Sequence, residues 1–474
     1  MDDTKQISTL ESLAEVARTR EQPQKNKRLA SIRVSPGAYL ATASVLTLLS
    51  VLLLRSEKDL WALAFLTAAW LIVPLLAFAD RISFDGERLV RHGPIPFLLR
   101  LISGKRRQLR VVDFERVDTH AVRTLRRGGS VRYRYRTQIT GKGTGFIFSS
   151  GGRSYREMVR QLFPAIHDDK LDVRTRELRD YLNEPKSLDR EVDELRLASP
   201  EVLDEANADF KLGRNSEINE AAEPEGRGNL ERAIQLRQLA NKLRVSGRLR
   251  EAAEAFRRAL VVIPRDGWLI YEFARLLKSQ ASAKGDARLL SRSRAALRLS
   301  ELRAGNDAKL LALIGESFLE CGDAERAHRS FKKSIELGTA KFRAHVGLAD
   351  VALRTGKLAH VIHQYRDAAR SASEKALLLY ARREADYYAL LNDDDDYLTS
   401  ELRRLSWLQH SMRIRRLAAR VTNASILIAL VGPSIEPGIG GMAWALAASS
   451  LSAWIGSLLG AKLLGDRRKP RQID

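Results

Sequence analysis

The chain of 474 residues contains a single cysteine, Cys321, so no intramolecular disulfide can form, and a reducing compartment suits it. It is also short of acid: 58 Asp and Glu stand against 80 Lys and Arg, a formal charge of +22 that suits an anionic partner, either nucleic acid or the inner face of a membrane. An apolar run at the very start is missing. About 35 polar and charged residues come first, which argues against a cleaved signal peptide. No acid/base or nucleophile constellation can be named. His360 and His363 are three apart on a helix but lack a Cys or acidic partner, and Asp393 to Asp396 lack the spaced oxygens of a calcium loop. Gly141 to Gly145 lack the Walker spacing and lie between strand-like runs, which makes them a hairpin turn. The expectation is a non-enzymatic protein with no cofactor, no metal and no nucleic-acid module.

Long apolar runs are present. Pro36–Leu54 and Leu60–Ala79 contain no charge, and each is long enough to cross a hydrocarbon core. Leu417–Ile435, which includes Arg420, and Ile439–Leu464 form a second pair. The predicted fold class is a multidomain membrane protein with two transmembrane helical hairpins, 36–79 and 417–464. Basic residues gather at their outer flanks: Lys25, Lys27 and Arg28 before the first, Arg413, Arg415 and Arg416 before the second, and Arg467, Arg468 and Lys469 after it. The positive-inside bias then puts residues 1–35, the body and the tail 465–474 in the cytoplasm of a bacterial inner-membrane, multi-pass protein. Residues 397–416 read as a basic juxtamembrane helix.

From 81 to 166 the hydropathy period becomes two, with glycine-marked turns between short runs. Val131, Tyr133, Tyr135, Thr137 and Ile139 alternate with Arg132, Arg134 and Arg136, the pattern of a half-buried strand with an arginine face. Ser154 to Glu157 is a capping box that opens a closing helix. A small antiparallel β domain ending in one helix, directly after a hairpin, resembles the bacterial pleckstrin-homology-like domain. Residues 167–230 read as an acidic linker: Asp168 to Leu182 can continue as helix, and Asn183 to Gly228, broken by Pro185, Pro200 and Pro224, has the composition of a tether with one or two weak helices.

The stretch 233–391 carries a repeat. Gly322, Ala327, Phe331 and Ser334 recur 34 residues later as Gly356, Val361, Tyr365 and Ala368, and Gly247, Ala252, Phe256 and Ala259 keep the same offsets. Small residues at close helix approaches and large ones between them resemble the tetratricopeptide repeat, which implies an all-α superhelix of stacked helix pairs. Repeats start at Ala233, Gly267, Ala308 and Phe342, an insertion falls in the Ser279 to Asp286 loop, and Glu374 to Leu391 closes the array.

The resemblance implies a concave groove that binds a protein partner. Its candidate lining is Arg237, Asn241, Arg244, Trp268, Tyr271, Arg275, Lys309 and Arg343. Arg237, Asn241 and Lys309 are similar to a carboxylate clamp, although Glu272 and Leu313 stand where that clamp needs Asn and a cation. The same charges also fit a solvated helix face. Arg123, Arg126, Arg127, Arg132, Arg134 and Arg136 are candidates for anionic lipid headgroups, at roughly 1 kcal/mol each near a surface. They also fit topology-setting charge and a soluble strand face. Gly456 and Gly460 form a small-residue face, and Ala443 and Ala447 another, suited to packing the fourth span on the third or on another copy of the chain. The reading that follows is a membrane-anchored scaffold, with an anionic-lipid-responsive component as its alternative.

Overall fold

The computed structural model describes residues 30–34, 37–94, 96–97, 108–125, 131–150, 152–197, 227–431 and 437–465. Strand β1 (Ala30–Arg33) precedes a helical hairpin of α1 (Gly37–Arg55) and α2 (Asp59–Ala79), the latter with a π-helical stretch at Ala68–Ile72. Strands β2 (Arg81–Phe84), β3 (Arg88–His92) and β4 (Gln108–Arg110) follow, and β1 to β4 form one antiparallel sheet in that order. Strands β5 (Arg116–Leu125), β6 (Val131–Gly141) and β7 (Thr144–Ser149) form a second, with Lys142 and Gly143 in the expected hairpin turn. Ile32, Phe84, Leu89, Ile139 and Phe148 fill the core shared by the sheets, which helix α3 (Arg153–Leu162) covers with Tyr155, Met158 and Leu162. The sheet domain therefore takes one strand from before the hairpin. Ala30 pairs with Phe84 and Arg33 with Arg81, so both ends of the α1–α2 hairpin are tied into one sheet.

Two short helices, α4 (Val173–Tyr181) and α5 (Pro185–Glu194), lead to an all-helical array. Its hairpins are α6 (Arg227–Ser246) with α7 (Leu249–Val262), α8 (Gly267–Lys284) with α9 (Ala287–Arg303), α10 (Ala308–Glu320) with α11 (Ala324–Leu337), and α12 (Lys341–Arg354) with α13 (Leu358–Arg370). Helix α14 (Lys375–Asp393) closes it. The sequence repeat has a local physical cause. Gly322 and Gly356 turn the chain inside their hairpins at φ of 80° and 72°, a left-handed conformation that glycine adopts without Cβ strain. Phe331 is fully buried, and a Cβ on Gly347 would lie 2.3 Å from its ring, so the small residue sets how closely the helices approach. Asp266, Asp286, Asp307 and Asp323 each cap the helix that follows, accepting from a backbone N–H two or three residues on.

Helix α15 (Asp395–Val431) and α16 (Pro437–Leu463) end the described chain as a second hairpin. Here the expected fold class needs correction: the protein is mostly helical with two small antiparallel sheets, and two transmembrane hairpins are not supported. Among the described residues one helix, Asp59–Ala79, is long and apolar enough to cross a membrane; Thr42–Val51 and Met442–Leu458 are shorter apolar helices. The separate basic helix and third span are one unbroken helix of 37 residues, whose apolar part shares its length with Arg413, Arg416 and Arg420. Arg404 on it donates to the Leu464 carbonyl at 2.7 Å, so α16 runs back alongside the basic part.

Two further boundaries differ. The additional residues near Ser279–Asp286 are absorbed as helix, since α8 and α9 have 18 and 17 residues against 13 to 14 in the next two pairs. Residues 168–197, inside the expected linker, are helical and packed rather than a tether. Residues 198–226, the amphipathic stretch Ile7–Ala17, Glu436 of the expected outer turn and the basic tail from 466 lie outside the described residues.

Candidate functional site

The first helices of the four pairs share a side that residues 168–181 of the chain itself occupy in large part. Residues 168–181 run across all four of these helices. Arg244 on α6 and Arg275 on α8 reach Glu177 of α4 at 3.0 and 2.9 Å. Lys309 on α10 pairs with Asp168 at 2.9 Å, and Arg343 on α12 donates to the Leu171 carbonyl at 3.1 Å while also pairing with Glu316. Val173 is buried in the same apolar cluster as Tyr271, Leu310, Ile314 and Leu348.

The opposite side of α4 belongs to the sheet domain. Asp172 donates its N–H to the Val117 carbonyl at 3.1 Å, the Thr175 hydroxyl reaches Val117 O and Thr119 Oγ1, and Leu178 joins the sheet core. Helix α4 is thus mortar between two bodies, and detaching it exposes apolar surface on both sides.

The sheet domain is fastened at both ends of the array as well. At one end the Tyr135 hydroxyl donates to the Val245 carbonyl, and a Cβ on Gly247 would lie 2.2 Å from Val131 O. At the other, Arg383 of α14 pairs with Glu115 at 2.6 Å, the Arg116 guanidinium reaches the Tyr380 hydroxyl, and Lys170 pairs with Glu374.

The clamp-like trio is spent internally. Arg237 makes a two-pronged contact to Glu272 at 2.6 and 2.8 Å, and the Asn241 amide donates to the same carboxylate at 2.8 Å. Glu272, the residue that departs from the clamp pattern, therefore pairs with Arg237 and accepts from Asn241, and Asp168 takes the third member, Lys309. Trp268 donates its indole N–H to Asp307 at 2.8 Å, and Tyr271 is buried. All eight groove candidates lie on the first helices of their pairs; Arg244 and Arg275 meet α4, Lys309 and Arg343 meet the segment just before it, Arg237 and Asn241 meet Glu272, and Trp268 meets Asp307.

Charge follows this packing. Glu177 is pulled down to about 2: burial resists ionisation, but Arg244 and Arg275 outweigh it. Glu320, beside Arg275 and Lys278, is likewise held at about 2.

One part of the side that these first helices share stays open. Where α4 ends towards its N-terminus, a cleft of about 420 Å³ remains between β5, residues 169–174 and helices α10, α12 and α14. It is the unfilled end of the expected groove, and periodicity alone gave no sign of what would roof it.

Of the lipid candidates, Arg132, Arg134 and Arg136 are exposed along one face of β6, opposite Tyr135 and the core. The Arg123 side chain, Arg126 and Arg127 lie outside the described residues. A Cβ on Gly456 or Gly460 would meet nothing within 4 Å, whereas Ala443 and Ala447 are buried in the α15–α16 hairpin. His363 pairs with Asp367, and among the described residues no group of three His, Cys, Asp or Glu side chains converges on a metal position. Asp394 accepts from Tyr397 N–H at 2.9 Å, which makes the acidic run a helix cap. Comparison with family models and with curated proteins gives no match for the chain.

Proposed function

We propose that this chain is a membrane-attached, non-enzymatic scaffold of tetratricopeptide-like repeats that holds a protein partner at the inner face of a bacterial cytoplasmic membrane. The observation that carries the reading is the contrast between its two halves. Helix α2 presents Leu60, Trp70, Leu71 and Leu75 at 66 to 80% exposure, an apolar surface suited to lipid. The body beyond it is a helical array braced by the sheet domain, a display surface that includes the open cleft beside β5. The partner meets the array at that open end rather than along α4, because the rows at α6 and α8 are already paired.

The test is alkaline carbonate washing of membranes followed by in-cell crosslinking of the full-length protein. The reading expects the protein to stay with the membrane, and Leu71→Arg with Leu75→Arg to release it. It also expects a discrete crosslinked partner that Val346→Phe, which narrows the cleft, removes. A protein washed off by carbonate, or crosslinks unchanged by Val346→Phe, would count against it.

A second reading rests on the arginine face of β6. The sheet domain, whose order of strands and closing helix suits the pleckstrin-homology-like resemblance, responds to anionic lipid through Arg132, Arg134 and Arg136. Flotation with anionic vesicles, and its loss in the triple Arg→Gln variant, tests that reading.

A further inference from the structure

The open cleft has a chemistry of its own. In a chain of net charge +22, seven carboxylates and five Lys or Arg side chains line it, so the pocket is locally acidic. Most of these charges are already committed. Glu115 holds Arg383, Arg343 holds Glu316, Lys170 holds Glu374, and Glu320 holds Arg275 and Lys278. Asp172 caps α4 through Thr175 N–H at 2.8 Å.

Asp350, on α12 in the cleft wall, differs. Among the described residues it has neither a hydrogen bond nor an ion pair in this structure. The two guanidinium groups that act on it most are spent elsewhere: Arg116 on Asp118 at 2.8 Å and on Tyr380, and Arg354 on the Leu319 carbonyl at 2.8 Å. Glu316 and Glu384 add further negative charge around it. Leaving a partly buried carboxylate unpaired is costly, and burial raises its pKa to about 6. Beside it Leu319, Phe342, Val346 and Leu377 supply an apolar wall. A volume of about 420 Å³ lies within the range of small-ligand sites, roughly 300 to 1,000 Å³.

We infer that the cleft between β5, α10, α12 and α14 binds a guanidinium or primary ammonium group carried on an aliphatic stem, with Asp350 as its counter-ion and Phe342, Val346 and Leu377 against the stem. Such a group gives Asp350 the donor that no described residue supplies, and charge-assisted hydrogen bonds in a shielded pocket are the strong kind. Two sources share this chemistry: a free amine or guanidine, and a Lys or Arg side chain of a bound partner, the latter resting on the scaffold reading above.

Isothermal titration of the full-length protein in detergent separates them. Agmatine and a short blocked peptide with a central arginine serve as probes, and wild type is compared with Asp350→Asn and Val346→Phe. The expected result is one site for at least one probe in wild type, weakened at least tenfold in both variants. Tighter binding of agmatine assigns the free molecule, and tighter binding of the peptide assigns the partner side chain. Asp350→Asn is close in shape and breaks no observed bond, so it should fold, which its melting profile verifies. Absence of heat with both probes, or equal binding by Asp350→Asn, overturns the inference. Crosslinks lost without probe binding would leave the scaffold standing while removing the cation site; probe binding with no crosslinked partner does the reverse.

Discussion

Arg275 of the second helix pair donates its Nε–H to Glu177 at 2.9 Å across 98 residues of sequence, and both side chains are largely buried, at 5% and 15% exposure. Arg244 approaches the same carboxylate from the first pair. One acidic residue on α4 thus joins two repeats to the sheet domain. Glu177→Gln leaves two buried guanidinium groups facing a neutral amide, and removing one partner of a buried ion pair costs about 3 to 5 kcal/mol. A loss near the lower figure is expected, since Glu320 continues to hold Arg275. Urea denaturation followed by circular dichroism reads it. A midpoint unchanged in Glu177→Gln would mean that α4 does not brace the array.

Those partners mark where sequence reading succeeds and where it stops. The repeat pattern, with its seven-residue insertion, predicts the helix starts at Gly267 and Ala308, while the expected Ala233 and Phe342 lie inside helices that begin at Arg227 and Lys341. The pattern is legible because Gly322 turns the chain inside its hairpin and Phe331 packs at close helix approaches. The arginines of the first two rows were also identifiable as a set. Their partner was not: Glu177 lies in a short segment, Asp168 to Leu182, that reads as helix leading into a linker, and nothing local marks it as packed. Strand β1 was missed for a similar reason. It has four residues, and its pairing partner lies beyond two helices. The expected third span failed because apolar count alone does not show that the helix continues through Arg420 into a basic stretch.

The buried carboxylates predict how stability depends on pH. Glu177 and Glu320 sit at about 2, below the unfolded value of about 4.3 for Glu. Their stabilisation is complete above that unfolded value and is lost as the pH falls towards 2. Asp172 and Asp350 are raised to about 6, chiefly by burial, so their contribution is complete below about 3.9 and is lost as the pH rises through 6. These four groups together favour the fold most near pH 4. Asp350→Asn removes one of the two falling contributions, so the stability difference between variant and wild type should grow in the variant's favour from pH 4 to 6 and then level off. Urea midpoints between pH 3 and 8 read this, and a difference independent of pH would refute it.

Two glycines separate packing within the array from docking of the sheet domain. Gly347→Ala puts a methyl 2.3 Å from the Phe331 ring and should cost about 1 to 3 kcal/mol by overpacking. Gly247→Ala adds strain at φ 90° to a clash with Val131 O, at the place where β6 meets the array. Hydrogen exchange should therefore show faster exchange along β6 in Gly247→Ala and around α10 to α12 in Gly347→Ala. The same exchange pattern in both variants would contradict this division.

Asp80 ties the first hairpin to the sheet, and its geometry makes the last prediction. Its carboxylate is fully buried, accepts from the Tyr39 hydroxyl at 2.7 Å and from Arg91 Nε at 2.9 Å, and its carbonyl accepts from Val34 N–H at 3.2 Å. One residue therefore contacts α1, β3 and the end of β1, the three elements that meet where α2 joins β2. Asp80→Asn leaves Arg91 with a neutral partner and should cost several times more than Tyr39→Phe, which deletes a single hydroxyl worth about 1 kcal/mol. The damage should be local before it is global. Exchange at Val34 and along β1 is expected to quicken in Asp80→Asn under conditions where the helical array remains protected, because that array makes none of these contacts. If Asp80→Asn and Tyr39→Phe proved equally mild, the hairpin would be held by the β1–β2 pairing alone and the carboxylate would be incidental.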